Sequence, residues 1–243
     1  MSDTPFSKEQ FSSIYPPGIE RYYWNHAKNL VVADSLSRVQ PKAVLEVGAG
    51  AGIATSFLKS RGFNIWGVEL ADVPVGFLNK NLDGIFFTGK SIEQIPQEIR
   101  QKIDTVLLLD VIEHIKDPQE IISSALKSLP HLKNIIVTVP ARKEIWSNYD
   151  TFNGHFLRYD RPSLISVFNK AGFKSAYCGY YFHALYWPAW ILARLGINRN
   201  THLLPPARSK EFLHSILAKL FYWEYKILPR WLVGSSIIAI FQK

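Results

Sequence analysis

The chain has 243 residues, of which 47% are hydrophobic, and this length suits one soluble α/β domain with an elaboration. The single cysteine, Cys178, excludes an intrachain disulfide framework and a cysteine-ligated zinc cluster, which favours a reducing compartment. The first residues show no basic segment followed by an apolar core, and Gly179, His183 and Pro188 interrupt the longest uncharged run. We therefore expect neither a signal peptide nor a membrane-spanning helix.

The net charge of +8 is concentrated in one part of the chain. Residues 184–243 carry eight Lys or Arg against two Glu, a contribution of +6, and they are also rich in Trp and Tyr. A basic aromatic segment suits an anionic partner such as a membrane surface, a phosphorylated substrate or RNA. The alternative is a solvated face on helices that cover an aromatic core.

Apolar periodicity and turn residues predict alternating strands and helices after an irregular segment that ends near residue 18. Strands are predicted at residues 43–47, 64–69, 85–88, 103–110, 134–139, 173–180 and 235–241. Helices are predicted at residues 20–36, 53–61, 72–80, 118–129 and 161–171, and in part of 91–102. This alternation is typical of βαβ units in a parallel sheet.

The stretch before the last strand is longer than this alternation requires, and we interpret it as an inserted helical cap. The predicted cap is residues 184–233, and residues 1–183 and 234–243 form the main domain. Two cap helices are predicted, at 187–195 with Pro188 at its start and at 209–228. We expect most of the cap's aromatic rings in core packing and the others in a substrate pocket or against lipid.

The first predicted strand leads into a glycine-rich turn and a helix start. Gly48, Gly50 and Gly52 keep the turn free of side chains, and the helix directs its free N–H groups into the same crevice. Glu69, at the end of the second strand, is placed to accept hydrogen bonds from both hydroxyls of a ribose. Glu46 is a buried acid that needs a partner, either a ligand ammonium group or nearby backbone N–H groups.

Four motifs in the expected order make the sequence resemble class I S-adenosylmethionine-dependent methyltransferases over most of the chain. They are Glu46-x-Gly48-x-Gly50-x-Gly52, Glu69, Asp110-Val111-Ile112-Glu113-His114-Ile115-x-Asp117-Pro118 and Val137-Thr138-Val139-Pro140-Ala141. The resemblance implies a Rossmann-like α/β fold: a seven-stranded sheet, mostly parallel with an antiparallel last strand, and helices on both faces. It implies S-adenosylmethionine as the cofactor, over the ends of the first, second and fourth strands. The implied cofactor-binding residues are Glu46, Gly48, Ala49, Gly50, Gly52, Glu69, Leu70, Ser91, Ile92, Asp110 and Val111.

Lys90 departs from the family pattern. Similar enzymes often carry Gly-Asp where this chain has Gly89-Lys90, and their acid contacts the adenine amino group. A lysine ammonium group cannot accept that hydrogen bond. By resemblance, we expect adenine to be held by backbone groups near Ser91 and Ile92 and by packing on Leu70, with Lys90 at the surface.

Acceptor chemistry is expected in a long polar and aromatic loop at residues 146–160, after the fifth strand. Its segment Gly154-His155-Phe156-Leu157-Arg158-Tyr159 resembles a Gly-His-x-Arg-Arg-Tyr motif, with leucine at one arginine position. That motif belongs to a methyltransferase subgroup associated with polysaccharide and glycolipid pathways. The resemblance implies His155 as a base or substrate-orienting group, supported by Arg158 and Tyr159.

Other roles remain open for these side chains. His155 and Arg158 can instead brace the loop against Asp150 or Asp160. His114 is a second candidate base, and its alternative role is to cap or pack the next helix. No residue is assigned as a metal ligand.

The early segment Trp24-Asn25-His26-Ala27-Lys28-Asn29 resembles an aromatic-basic helix of the same subgroup. The resemblance implies that this helix closes over the cofactor. A surface role for His26 and Lys28 is an equally good interpretation.

The sequence predicts an S-adenosylmethionine-dependent methyltransferase that acts on a small-molecule, sugar or lipid-linked acceptor by O-methylation. Methyl transfer needs mainly alignment and desolvation, with a base when the nucleophile is a hydroxyl. We expect a cytoplasmic protein whose cap makes peripheral contact with the inner membrane face. The alternatives are an RNA or other nucleic-acid methyltransferase and a noncatalytic S-adenosylmethionine-binding protein. Nucleic acid is disfavoured because no RNA-binding module and no Asn/Asp-Pro-Pro-Tyr motif is present.

Overall fold

The computed structural model describes residues 8–72, 82–201 and 204–243. The strands within them are β1 (Val44–Val47), β2 (Ile65–Glu69), β3 (Phe86–Thr88), β4 (Thr105–Leu109), β5 (Asn134–Pro140), β6 (Lys174–Tyr181) and β7 (Ser236–Gln242). They form one sheet in the order β3-β2-β1-β4-β5-β7-β6. The predicted strands agree with these bounds to within two residues and are confirmed.

The parallel part of the sheet runs through β3, β2, β1, β4 and β5, and β7 lies antiparallel between β5 and β6. This topology confirms the expected Rossmann-like sheet with an antiparallel last strand. β1 is an interior strand, since Glu46 pairs with Gly67 of β2 and with Leu107 of β4. The parallel strands therefore end at one edge of the sheet, where open α/β folds bind ligands.

The helices of the described residues surround this sheet. They are α1 (Lys8–Ile14), α2 (Tyr23–Val39), α3 (Ile53–Ser60), α4 (Gln97–Arg100), α5 (Pro118–Ser128), α6 (Asn148–Phe152), α7 (Arg161–Lys170), α8 (His183–Arg194) and α9 (Glu211–Ile227). α1 and α6 lie in stretches for which no helix was predicted. Apart from its first residue, Asp72, the helix predicted at residues 72–80 lies outside the described residues.

The predicted start of α8 was wrong, because the helix begins at His183 and Pro188 lies inside it. Phe182 adopts a left-handed conformation that turns the chain directly from β6 into the helix. The carboxylate of Glu224 on α9 then accepts hydrogen bonds from the first two backbone N–H groups of α8. This cap comes from a residue far away in the chain, so local sequence could not indicate it.

Two hydrophobic clusters cover the two faces of the sheet. Since successive side chains of a strand point to opposite faces, Leu45 and Val47 join one cluster and Val44 joins the other. The first cluster packs α5 and α7 on the sheet, and the second packs α2, α3 and α9. Helices on both faces are therefore confirmed, and burial on both faces accounts for the apolar sequence of β1 and β4.

α9 is attached to α2 by apolar and polar contacts. Ala218 and Tyr225 of α9 are buried in the cluster that also holds α2. Lys226 Nζ lies 2.7 Å from Oδ1 of Asp34 on α2. Among the described residues, no helix combines the length and the apolarity that crossing a bilayer requires.

Candidate active site

The carboxyl ends of β1, β2 and β4 border a cavity of about 920 Å³, a volume typical of small-molecule and cofactor sites. The predicted site residues that line it are Gly48, Gly50, Glu69, Leu70, Ser91, Ile92, Asp110, Val111, His114, His155 and Arg158. Four other residues predicted for the site do not line the cavity: Glu46, Ala49, Gly52 and Tyr159. One cavity is thus lined by most of the residues predicted for the cofactor and by three of the four predicted for the acceptor, His114, His155 and Arg158.

The glycine turn after β1 presents bare backbone to the cavity. Gly48, Gly50 and Gly52 have φ values of +72°, +55° and +72°, a region that favours glycine. A Cβ atom on Gly48 would lie 2.8 Å from Cγ2 of Val111, and one on Gly50 would collide with Tyr15. The absence of side chains at these positions is therefore needed both for the turn and for its close neighbours.

Glu69 ends β2 and points its carboxylate at the glycine turn. The Gly50 N–H donates to Oε2 at 2.7 Å, and the Ala71 N–H donates to Oε1 at 2.9 Å. Burial raises the pKa of this carboxyl group, and the backbone donors oppose that rise. A carboxylate offers about four lone-pair positions, so both oxygens can still accept hydrogen bonds from ligand hydroxyls.

Glu46 lies beneath the turn, with 3% of its surface exposed. Its Oε2 accepts a hydrogen bond from the hydroxyl of Thr55 on α3. Burial raises the pKa of Glu46 to about 7, although the Thr55 hydrogen bond and the charge of Lys28 act in the opposite direction. The observed partner is a side-chain hydroxyl, whereas the sequence indicated a ligand ammonium group or backbone N–H groups.

Asp110 follows β4 and connects α2 to the cavity. It adopts a φ of +56°, and its carboxylate accepts hydrogen bonds from Thr138 Oγ1 at 2.9 Å and from Lys28 Nζ at 2.8 Å. Lys28 is therefore a cavity residue, a position that sequence reasoning did not distinguish from a surface one. His26 packs its ring on Phe57 of α3 and does not line the cavity.

Asp150 is the centre of the loop at residues 146–160 and is completely buried. Its Oδ1 lies 2.9 Å from His155 Nδ1 and accepts a hydrogen bond from Arg158 Nε at 2.7 Å. Burial alone would raise the pKa of Asp150, but the His155 hydrogen bond and the Arg158 charge lower it to about 2. An ionised carboxylate only accepts hydrogen bonds, so His155 carries a proton on Nδ1 and its Nε2 is available to a ligand. The bracing role foreseen for Asp150 and an oriented His155 therefore coexist.

A short 3-10 helix after β4 places two polar side chains beside this loop. The rings of His114 and His155 meet edge to face with centroids 4.7 Å apart. Burial, together with the charge of His155, lowers the pKa of His114 to about 4. Glu113 is completely buried, and burial and the charge of Asp110 raise its pKa well above the ordinary value. Sequence reasoning assigned no role to Glu113, although it directly precedes His114.

Tyr159 supports the site from behind the cavity lining. Its hydroxyl donates to the backbone oxygen of Ile112 at 3.3 Å, and its N–H donates to that of Pro140 at 3.0 Å. Burial raises the pKa of this hydroxyl. Tyr159 therefore joins β5, through its backbone, to the segment after β4, through its side chain, and it does not line the cavity.

The region predicted for adenine lies beside Glu69. Leu70 and Ile92 offer apolar surface to the cavity, and Lys90 is exposed at its rim. The Ser91 N–H already donates to Gln94 Oε1 at 2.8 Å in a capping box. Because this N–H group already has an acceptor, packing against Leu70 and Ile92 is the better supported contact for the adenine ring.

The chain before α2 contributes cavity residues that sequence reasoning missed. Tyr15 covers the glycine turn, and its ring lies 4.7 Å from that of Phe11 on α1. Burial and the charge of Glu69 raise the pKa of the Tyr15 hydroxyl. The sequence predicted an irregular segment here, because the short α1 has no apolar periodicity. The contact of Tyr15 with the glycine turn was therefore not predicted.

A family model described as "Methyltransferase domain" matches residues 21–176, more than half of the chain. The matched range includes the glycine turn, Glu69, Asp110 and the loop at residues 146–160. All of these features border the same cavity or support its wall.

Curated relatives match a shorter part of the chain. A ubiquinone biosynthesis O-methyltransferase of Pseudomonas aeruginosa (strain UCBPP-PA14) is 30% identical over 93 residues, which are 37% of this chain and 40% of that protein. A ubiquinone biosynthesis O-methyltransferase of Dechloromonas aromatica (strain RCB) is 27% identical over 90 residues, 35% of this chain and 39% of that protein. The chain thus spans about two fifths of the length of these relatives.

Solved structures share the fold over most of the chain. The methyltransferase domain of bacterial CtHen1-CN is 15% identical with a TM-score of 0.54, covering 90% of this chain and 99% of that one. Magnesium protoporphyrin IX methyltransferase (ChlM) from Synechocystis PCC 6803, solved with bound SAH, is 16% identical with a TM-score of 0.54. It covers 97% of this chain and 93% of its own.

Proposed function

This chain belongs to the methyltransferase-domain family, and we propose that it transfers the methyl group of S-adenosylmethionine to a hydroxyl oxygen of a small-molecule, sugar or lipid-linked acceptor. The observation that carries the proposal is the shared cavity. Glu69 and the glycine turn border the same space as His155, whose ring is held by the buried carboxylate of Asp150. A methyl donor and an acceptor hydroxyl can therefore meet there without a large rearrangement.

The cofactor of this family, S-adenosylmethionine, fits the residues at the carboxyl edge. We assign the ribose hydroxyls to Glu69, whose oxygens retain lone pairs, and the amino-acid part to the bare turn at Gly48 and Gly50. Leu70 and Ile92 offer apolar surface for adenine. When bound, the cofactor supplies a methyl group that is already activated on a sulfonium.

His155 is the residue that we assign to the acceptor hydroxyl. Its Nδ1 is engaged by Asp150, so Nε2 can take the hydroxyl proton or orient the oxygen. Arg158 supports it indirectly, since it binds the same Asp150 oxygen and donates to the backbone oxygen of Ala141 at 2.9 Å. We keep His114 as the second candidate base, and its lowered pKa makes the ring neutral near pH 7.

The segment at residues 184–233, which we propose acts as a cap, favours a lipid-linked acceptor. α8 gives the cavity an apolar wall with Leu185, Pro188, Ala189 and Leu192. The same segment exposes large apolar side chains that include Trp187, Ile191, Leu195, Leu220, Trp223 and Trp231. Exposed apolar surface with an excess of basic residues suits peripheral contact with an anionic membrane. An acceptor with an apolar tail can enter from that side.

Transfer of a tritiated methyl group from S-adenosylmethionine tests the proposal. The purified full chain is incubated with a membrane-lipid extract, with a water-soluble small-molecule extract and with total RNA. We expect label in the lipid extract, and none when His155→Ala replaces the wild type at equal cofactor affinity.

Each other outcome contradicts part of the proposal. Label in RNA alone, with RNA retention that falls steeply with salt, indicates a nucleic-acid enzyme. Cofactor binding without label in any extract indicates a noncatalytic binding protein. Label in the water-soluble extract alone contradicts the lipid-linked acceptor and supports methyl transfer to a small molecule.

A further inference from the structure

Glu113, His114 and His155 converge on one side of the cavity. Each offers a ligand atom, and these atoms lie within 4.8 Å of one another. We propose that the three side chains bind a divalent transition-metal cation beside the acceptor hydroxyl. The location of the acceptor rests on the proposed function, and the metal site is an addition to it.

Glu113 is the strongest indication of a cation. Its side chain is completely buried, and in the described part of the chain no other residue donates a hydrogen bond to either carboxyl oxygen. A buried carboxyl group without partners is costly, so such groups are normally paired or bound to a metal. A cation on the cavity side of Glu113 would supply that partner.

The two histidines are held by their surroundings as metal ligands usually are. His155 Nδ1 is fixed by Asp150, which Arg158 also binds, so Nε2 is the atom left for a ligand. The His114 ring is held edge to face against the His155 ring, with the centroids 4.7 Å apart. Metal-binding histidines typically donate their other ring N–H to a carboxylate or a backbone oxygen, which fixes the tautomer and the ring orientation.

The donor set indicates the class of metal. One carboxylate and two imidazoles suit zinc, manganese, iron or cobalt, whereas magnesium and calcium prefer oxygen ligands alone. Three protein ligands leave at least one coordination position for another molecule, which is characteristic of catalytic sites. All three residues line the cavity, so in this protein that position would be open to a molecule bound there.

A cation at this position would activate the acceptor. It would lower the pKa of a bound hydroxyl, whose proton passes to solvent. The acceptor oxygen then forms a bond to the methyl carbon, the sulfur–carbon bond breaks, and its electron pair stays on sulfur as S-adenosylhomocysteine forms. His155 was assigned two roles, taking the hydroxyl proton or orienting the acceptor oxygen. With a metal present, His155 would orient the acceptor oxygen by holding the metal to which that oxygen binds.

Calorimetric titration of the chelator-stripped full chain with Zn²⁺ tests the site, and the visible absorption of added Co²⁺ gives a second readout of its ligands. Glu113→Gln and His155→Ala are compared with the controls Glu98→Gln and His131→Ala, two exposed residues that do not line the cavity. We expect one bound equivalent in the wild type and in both controls. We expect affinity at least about ten-fold weaker in Glu113→Gln and His155→Ala, with loss of the Co²⁺ bands.

The proposal is overturned if the wild type binds no equivalent of either metal, or if Glu113→Gln and His155→Ala bind both as the wild type does. Where Glu113→Gln does not fold, His155→Ala decides, since its side chain is on the cavity wall. Methyl transfer at full rate after chelation, with no metal bound, rejects the metal and keeps the proposed function. Metal binding without methyl transfer to any extract keeps the metal site and rejects the proposed function.

Discussion

The cavity has two walls that are built differently. The cofactor wall consists of a glycine turn and one carboxylate, Glu69, which lies at hydrogen-bonding distance from backbone N–H groups. The acceptor wall consists of charged and aromatic side chains from the segment after β4 and from the loop at residues 146–160, which contains the buried Asp150. Backbone fixes the first wall, and a side-chain network fixes the second.

The two walls are expected to differ in how easily substitutions change their specificity. A wall made of backbone binds any ligand that presents the same groups, so it suits a cofactor common to many enzymes. A wall made of coupled side chains changes its shape and charge with single substitutions, so it suits a particular acceptor. Substitutions that impair one wall and spare the other are the direct way to test this division.

The largest effect is expected from His155→Ala, which removes the acceptor group and leaves the cofactor wall intact. Loss of a positioned base or orienting group typically lowers a rate by roughly 10²–10⁴-fold. Turnover of labelled methyl groups and the calorimetric affinity for S-adenosylmethionine should be measured together. His131→Ala, an exposed histidine outside the cavity, is the control. Equal losses of turnover and of cofactor affinity would mean that the two walls are not separable.

Asp150→Asn tests the network that holds the acceptor wall. The change leaves the guanidinium of Arg158 without its ionic partner, and the side chain of that residue is only 6% exposed. We expect the free energy of unfolding to fall by about 3–5 kcal/mol, because an uncompensated buried charge remains. Urea denaturation measures it, with Asp160→Asn as the matched control, since asparagine also caps helices well. Similar losses of unfolding free energy in the two variants would show that the Asp150 network does not stabilise the fold more than an exposed helix cap does.

Glu46, beneath the cofactor wall, makes the free energy of unfolding sensitive to pH. Its pKa is about 7 in the folded protein and 4.5 in the unfolded chain, so the folded state binds the proton more tightly. Stability from this group is fully present below pH 4.5 and is lost as pH rises through about 7. We expect a loss of roughly 3 kcal/mol between pH 4.5 and pH 8 in the protein without cofactor.

Glu46→Gln should remove that part of the pH dependence. The measurement is the free energy of unfolding in urea at several pH values, for this variant and for the exposed control Glu98→Gln. The control should retain the wild-type slope. A Glu46→Gln profile parallel to the wild type would contradict a raised pKa at this position.

The smallest effect concerns the exposed surface of the basic segment at residues 184–243. Lys219 on α9 and Lys102 beside β4 are both exposed, but only Lys219 belongs to the basic segment. Lys219→Ala should weaken binding to anionic vesicles by about 1 kcal/mol, roughly five-fold, and Lys102→Ala should leave it unchanged. Vesicle sedimentation at low and physiological salt measures both. Equal vesicle affinities of the wild type and Lys219→Ala would contradict the proposed contact of this segment with a membrane.

The cofactor wall could be predicted from sequence because its determinants are local. The spacing of Gly48, Gly50 and Gly52 after a buried strand specifies the turn, and Glu69 follows at the end of the next strand. The strands were predictable for the same reason, since burial on both faces produces nearly continuous apolar runs. The family match confirms the methyltransferase prediction that these motifs supported.

The acceptor wall could be predicted only in part. The contacts of Asp150 with His155 and Arg158 lie within one loop that the sequence indicated, whereas other contacts around the cavity join residues far apart in the chain. Lys28 reaches Asp110 from α2, and Glu224 caps α8 from α9. Neither pairing has a local motif. Glu113 carried no indication of its burial, since a charged residue after a strand is usually solvated. Such positions become visible only when the fold brings their partners together.

Calorimetric titration with S-adenosylmethionine, beside NAD as a dinucleotide control, tests the central claim most directly. We predict one bound S-adenosylmethionine per chain, no binding of NAD, and an affinity for S-adenosylmethionine weakened about 10–100-fold in Glu69→Gln, because its charged hydrogen bonds are lost. Glu98→Gln should bind as the wild type does. No binding of S-adenosylmethionine at high concentration, or equal affinity in the wild type and Glu69→Gln, would contradict the assignment of this wall to the methyl donor.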